Sequence, residues 1–349
     1  METPISFWRE TLRVAAARLG RPVRLMEVCG SHSFAAAKFG LRALLPDSVR
    51  LLSGPGCPVC VSGPGFIDRA IALCRRNVRV AVFGDLLRIP GSEGTLQGEA
   101  GLMVIYSPEE ALDYAAAHPE KEVVLAAVGF EPTLSAGAAI LELAAERNAA
   151  NFSLLCDFKR IRPVLELLAA DAGTRLDGFL LPGHVASVVG EAGFAGLALP
   201  GVISGFSAEN MLHSILLLLQ SAEQGKPAVI NNYPEVVAAS GNLAALAMIE
   251  HCFEPGPSEW RGMGNVPGGG WLIRPEFARF DAARRFDLPL AVAREPEGCR
   301  CGEVLRGALS PEKCPLFGRG CTPAHPVGAC MVSGEGACAA AYRYREVVA

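Results

Sequence analysis

No long apolar run is present. The longest, near Ile215–Leu219, falls far short of the ~20 residues that span a bilayer, so no membrane segment is expected. No secretory leader is expected either. The opening METPISFWRETLRVAAARLG carries Glu10 and Arg13 where an unbroken apolar core would be needed, and it reads as an amphipathic helix. Charge of one sign is not in excess. Lys plus Arg is 32 against 36 for Asp plus Glu, a net charge of −4, which excludes the basic footprint of a nucleic-acid binder. Charged residues make up only 19% and apolar residues 50%, so global disorder is excluded too. Nucleotide fingerprints are missing. Gly54 and Gly56 begin a G-x-G-x-x-G, but position 59 is Val, and no G-x-x-x-x-G-K-[ST] string occurs. These absences describe a soluble protein, expected in the cytoplasm, whose site serves something other than a dinucleotide.

What is there is an alternation of short apolar runs with helical stretches. The runs are Val23–Val28, Val49–Leu52, Val78–Phe83, Leu102–Tyr106, Val123–Val128, Phe152–Leu155, Gly178–Leu181 and Gly201–Ser204. Near-continuous apolar strands are what parallel sheets buried on both faces require. Intervening segments such as Pro132–Asn148 are long enough for crossover helices. The fold class is therefore α/β, with two Rossmann-like domains of parallel strands and a small Cys-rich C-terminal domain. The eight runs divide four and four at a polar stretch near His118–Pro119. The expected domains are 1–118, 119–222 and 223–349. Beyond Gly205, helices are expected at Glu209–Gln224 and Pro234–Glu250, followed by a Gly/Pro-rich segment, EPGPSEWRGMGNVPGGGW. The last fifty residues look like a cap unable to build a core of its own.

In open parallel sheets, ligands gather at the carboxyl ends of strands. The first run ends in Cys29-Gly30-Ser31-His32, the second leads into Gly56-Cys57-Pro58-Val59-Cys60, and the third ends in Gly84-Asp85. Later runs end in Gly129-Phe130-Glu131, Pro182-Gly183-His184 and Gly205-Phe206. Asp85, Glu131 and His184 have bland readings as turn or cap residues. Their shared position after strands makes them candidates.

The chain has 12 cysteines. In a reducing compartment, clustered cysteines point to metal binding or redox catalysis rather than structural disulfides. Cys57 and Cys60 form a C-x-x-C, a spacing that suits a redox dithiol or two thiolates on one metal. No second pair lies near enough to complete a local zinc site, which favours the dithiol. Cys29 and His32 follow a strand adjacent in sequence to that pair, so three thiols and an imidazole can share one cleft, a soft metal site. Cys299, Cys301, Cys314, Cys321, Cys330 and Cys338 fall in about forty Gly/Pro-rich residues. Four thiolates suffice for a [4Fe-4S] cluster. Zinc is the rival that spacing alone does not separate. Cys74, Cys156 and Cys252 stand alone and read as buried small hydrophobes.

These strings resemble a known family. MEVCGSHSFA from Met26, LLSGPGCPVCV from Leu51, VFGDLLRIPGS from Val82, VGFEPT from Val128, DGFLLPGHV from Asp177 and the Cys-rich run Cys301–Cys338 are similar, in order, to the HypD family of hydrogenase maturation factors. The resemblance implies two Rossmann-like domains and a third domain holding a [4Fe-4S] cluster. It implies a role with a HypC-like chaperone in assembling the Fe(CN)2CO unit of [NiFe]-hydrogenase, with cyanide accepted from HypE, which HypF supplies upstream. Cys29, beside His32, would hold the iron. Cys57 and Cys60 would work in redox or ligand transfer, and Cys299, Cys314, Cys321 and Cys338 would ligate the cluster. Cys301 and Cys330 would form an electron-relay pair. The resemblance leaves open whether the chain acts as an enzyme or as a scaffold. Three residues depart from the family pattern, Ser31 and Ser33 replacing threonines and Pro132 replacing a threonine after Glu131, and the stretch after Arg88-Ile89-Pro90-Gly91 is shorter and less basic than usual. The alternatives are a stand-alone Fe–S thiol–disulfide oxidoreductase and a zinc-stabilised scaffold.

Overall fold

All eight apolar runs form strands. The computed structural model describes residues 4–92, 94–225, 227–288 and 294–345. The strands are β1 (Val23–Glu27), β2 (Val49–Ser53), β3 (Arg79–Val82), β4 (Leu102–Val104), β5 (Val123–Gly129), β6 (Phe152–Phe158), β7 (Gly178–Pro182), β8 (Gly201–Ser204), β9 (Val229–Asn231), β10 (Phe253–Trp260) and β11 (Gly264–Ile273). β1 to β9 fall into two sheets, of order β2-β1-β7-β8-β9 and β4-β3-β5-β6. Every pairing in both sheets is parallel. The α/β class with parallel sheets is thus observed.

The four-and-four division of strands is corrected. β1 and β2 belong with β7, β8 and β9, while β3 to β6 form the other sheet. The expected break at 118 falls between β4 and β5, inside one sheet. The reason is topological. The chain leaves the first sheet after two strands, builds the second, and returns to lay β7 beside β1 (Leu25 opposite Gly178). Apolar runs carry no label for the sheet they join.

The helix Ala208–Gln224 matches its expectation, with Ser207 Oγ accepting from Asn210 N. The second expected helix is shorter, spanning Leu243–Cys252. Asn242 caps it by accepting from Ala245 N, so the stretch from Pro234 to Asn242 stays outside. The Gly/Pro-rich segment is an antiparallel hairpin, β10–β11, with a register shift between Gly256 and Ser258. Its composition hid it, because Gly and Pro are depleted in strands. Tertiary bonds hold it instead. Trp260 Nε1 donates to Gly269 O at 2.8 Å. Buried Lys159 donates to Ser258 Oγ and Glu259 O, and pairs with Asp157 at 2.6 Å.

One face of the first sheet packs Leu25, Leu51, Leu180 and Val202 against the helices Ile5–Leu19 and Ala208–Gln224. The C-terminal segment behaves as a cap. Its separate apolar cluster is only Cys321, Met331 and Ala339, whereas Cys301, Leu305, Ala329 and Cys330 join the large central core.

Candidate metal and thiol centre

Two strand-order reversals set the site. The order in which strands are added reverses between β1 and β7 in the first sheet and between β3 and β5 in the second. Cys29 and His184 flank the first switch, while Asp85 and Glu131 flank the second. A cavity of about 170 Å³ lies between these strand ends, lined on one side by Cys29, Gly56 and His184 and on the other by Phe130 and Thr133. Glu335, from the C-terminal segment, completes the lining.

Cys29 precedes the helix Gly30–Lys38 and is 6% exposed. Burial pushes its thiol up to about 12. It therefore ionises only when a cation compensates, as a bound metal does. Gly56 lets the C-x-x-C loop lie directly on it: a Cβ there would sit 2.1 Å from Cys29 N. Gly30 N donates to Gly56 O at 2.9 Å, fixing the same contact.

His32 is fully buried. Its Nε2 lies 3.2 Å from Ser204 O and 3.1 Å from Gly205 O, so Nε2 carries the proton and donates. Nδ1 is buried with no partner, leaving a free lone pair. Burial lowers the imidazole to about 4, which keeps it neutral. Phe206 sits between the two imidazoles, 4.9 Å from His32 and 4.2 Å from His184.

Cys57 and Cys60 form a disulfide, and both are buried. Cys57 caps the short helix Pro58–Val61. Cys60 Sγ approaches Ala329 O at 3.9 Å, placing the dithiol against the helix Ala329–Val332 that carries Cys330. Glu131 begins the helix Glu131–Glu146 and is 3% exposed, with Oε2 unpartnered. Burial lifts its carboxyl to about 7. Asp85 is exposed on a 3₁₀ turn and stands outside the cavity lining.

All six C-terminal cysteines line one further cavity, whose other walls include Val304, Leu316, Phe317 and Met331. All six are free thiols. Among the described residues, no three Cys, His, Asp or Glu side chains are arranged to hold a single metal ion. The donor set suits a cluster: soft sulfurs in an apolar pocket, with Val327 N donating to Cys321 Sγ at 3.3 Å. Gly328 brings backbone against Cys299, since a Cβ there would meet Cys299 Sγ at 2.4 Å. Cys301 hydrogen-bonds with both Cys299 and Cys330, which pulls its thiol well below the ordinary range. The same contacts push Cys299 and Cys330 up. Cys301 and Cys330 are thus immediate neighbours. Of the lone cysteines, Cys74 and Cys252 are buried, as expected, while Cys156 is half-buried.

A family model, HypD, described as the hydrogenase formation hypA family, matches residues 6–345. The chain belongs to the HypD family. It is 43% identical over 356 residues to the hydrogenase expression/formation protein HupD of Azotobacter chroococcum, covering 96% of this chain and 94% of that one. It is 42% identical over 357 residues to the hydrogenase maturation factor HypD of Azotobacter vinelandii, with the same coverage. Against the hydrogenase maturation factor HypD of Escherichia coli, identity is 40% over 352 residues, 97% and 94% of the two chains. No helix among the described residues is long and apolar enough to cross a membrane.

Three residues of this centre, Glu335, Glu27 and Arg261, escaped the sequence reading. Ser31 Oγ donates to Glu335 Oε1 at 2.6 Å. Glu27 is fully buried beneath Cys29 and accepts from Ser33 Oγ at 2.5 Å. Its carboxyl, lifted to about 7 by burial, is a charge-bearing residue inside an apolar run, a signal that was available. Arg261 is also buried. Its Nε donates to Cys60 O at 3.0 Å and its Nη2 to Ser62 O at 2.9 Å, and it pairs with Glu295. Nothing in the sequence around Arg261 announces this.

Proposed function

We propose that this chain, with a HypC-like chaperone, holds iron as the Fe(CN)2CO precursor of the [NiFe]-hydrogenase site while cyanide from HypE is delivered. One observation carries the reading. The buried Cys57–Cys60 disulfide touches Cys29 on one side, through Gly56, and the Cys330 helix on the other, through Ala329. A dithiol between a metal-binding thiol and a cysteine-rich pocket is placed for thiol exchange.

Each residue has a role. Cys29 supplies a thiolate to the substrate iron, and the neutral Nδ1 of His32 offers a lone pair on the same side of the first sheet. Cys299, Cys314, Cys321 and Cys338 hold a [4Fe-4S] cluster, which supplies single electrons when bound. The Cys301 thiolate attacks the Cys57–Cys60 disulfide, and Cys330 resolves the mixed disulfide. Cys57 and Cys60 are left as thiols, with two protons taken up at their sulfurs and Cys301–Cys330 oxidised. Release of cyanide from a thiocyanate consumes two electrons and one proton, giving thiol and cyanide, and the Cys57/Cys60 dithiol matches that demand. His184 borders the entry of the ligand, and Glu131, buried behind Phe130 and outside the cavity lining, acts on it only at second hand. Asp85 stands at the outer rim, and its place there favours partner contact over chemistry.

The test is infrared spectroscopy of the complex with a HypC-like partner, purified without oxygen. Cys29→Ala should remove the iron-bound CN and CO bands and leave the visible cluster absorbance. Cys314→Ala should bleach that absorbance. Bands surviving in Cys29→Ala would overturn the iron assignment, and zinc in place of about four irons would overturn the cluster.

A further inference from the structure

A second pocket lies toward the opposite end of the first sheet. Arg24 stands near the start of β1, five residues before Cys29, or about 16 Å at the rise of a strand. It is the register partner of Arg50 on β2. In-register neighbours on parallel strands project to the same face, so two guanidinium groups stand side by side, an arrangement that repels. The next pair on that face, Met26 and Leu52, lies under Gly307 of the C-terminal segment: a Cβ there would meet Met26 Cε at 2.6 Å. Beyond that contact the segment leaves a cavity of about 330 Å³, bordered by Arg24, Arg42, Arg50, Glu312 and Lys313.

The charges around this cavity are unbalanced. Glu312 is the one carboxylate among its described lining residues, against four cations. Neighbouring acids are already engaged. Asp177 accepts from Arg24 N at 2.8 Å and pairs with Arg21 at 2.7 Å. Glu27 is bonded to Ser33 and lies 3.6 Å from Arg42. Arg42 also donates to Leu51 O and Ser53 Oγ, which fixes its position. Arg24 Nε is buried and donates to nothing. A buried Arg24 N–H without an acceptor, beside the Arg50 guanidinium and with no carboxylate paired to either side chain among the described residues, describes a site whose missing component is an anion.

We propose that this cavity binds a small phosphate-bearing anion, gripped by the guanidinium groups of Arg24 and Arg50 and neutralised further by Lys313. Two guanidinium forks offer parallel N–H pairs matched to phosphate oxygens, and the cavity volume suits a pyrophosphate or a nucleoside monophosphate. The bound anion would cross-link β1 and β2 to the Leu309–Lys313 and Ala337 walls. Those walls immediately precede Cys314 and Cys338 in the chain. The site stands independently of the proposed iron chemistry.

The test is calorimetric titration of the full chain with sodium pyrophosphate, with malonate as a dicarboxylate control. One saturable pyrophosphate site is expected, with malonate at least tenfold weaker. Arg24→Gln and Arg50→Gln should each raise Kd at least tenfold, and Arg147→Gln, paired elsewhere with Asp113, should leave it unchanged. Should the arginine variants melt early by circular dichroism, the exposed Lys313→Gln is the substitute and should raise Kd at least threefold. Absence of saturable heat, unchanged affinity in the cavity variants, or malonate binding as tight as pyrophosphate would each overturn the proposal.

Discussion

Ser31 Oγ donates to Glu335 Oε1 at 2.6 Å across 304 positions of sequence. Ser31 follows Cys29 by two residues, and Glu335 precedes Cys338 by three. The bond therefore ties the cysteine-rich segment to the lip of the Cys29 pocket. A double-mutant cycle of Ser31→Ala and Glu335→Gln, read by urea unfolding, should give a coupling of about 1 kcal/mol, since the pair is partly exposed. A coupling near zero would show that the cap is held elsewhere.

Gly56 is the tightest approach at the centre. Gly56→Ala should destabilise by about 3 kcal/mol, because its Cβ would meet backbone that cannot move without shifting Cys29. Gly84→Ala is the control, with nothing within 4 Å of the added carbon. Similar midpoints for the two variants would contradict the packing described.

Arg261→Met should lose the bonds to Cys60 O and Ser62 O and leave two carbonyls unpaired. A destabilisation of about 2 kcal/mol is expected from unfolding curves. Faster reduction of the Cys57–Cys60 disulfide by dithiothreitol should accompany it, as measured by alkylation and mass spectrometry. An unchanged reduction rate would confine Arg261 to stability alone.

Glu131 titrates in opposite sense to an ordinary surface carboxyl. Its folded value, about 7, lies above the unfolded one, so it favours the folded state below pH 4.5 and progressively less as pH rises to 7. Relative to Glu131→Gln, the native chain should lose on the order of 2 kcal/mol across that window. His32 runs the other way. Its lowered value, about 4, removes stability as pH falls from 6.5 to 4. Parallel stability–pH curves for Glu131→Gln and the native chain would refute the first assignment.

The sequence alone determined the strands and the set of reactive groups. Buried parallel strands need unbroken apolar runs, so β1 to β8 were visible, and the thiols stood out because cysteine is uncommon. It did not determine the partition of strands between sheets. Hydrophobicity drives burial without naming a partner, so only the returning β7 shows that His184 shares a sheet with Cys29. It did not reveal the β10–β11 hairpin, whose stability comes from Lys159 and Trp260 bonds rather than from strand propensity. Nor did it single out Glu335 or Arg261, ordinary charged residues whose meaning lies in what the chain brings beside them. Local pattern fixed elements and reactive groups, because both depend on near neighbours. Tertiary structure decided the site, because its contacts join segments hundreds of residues apart.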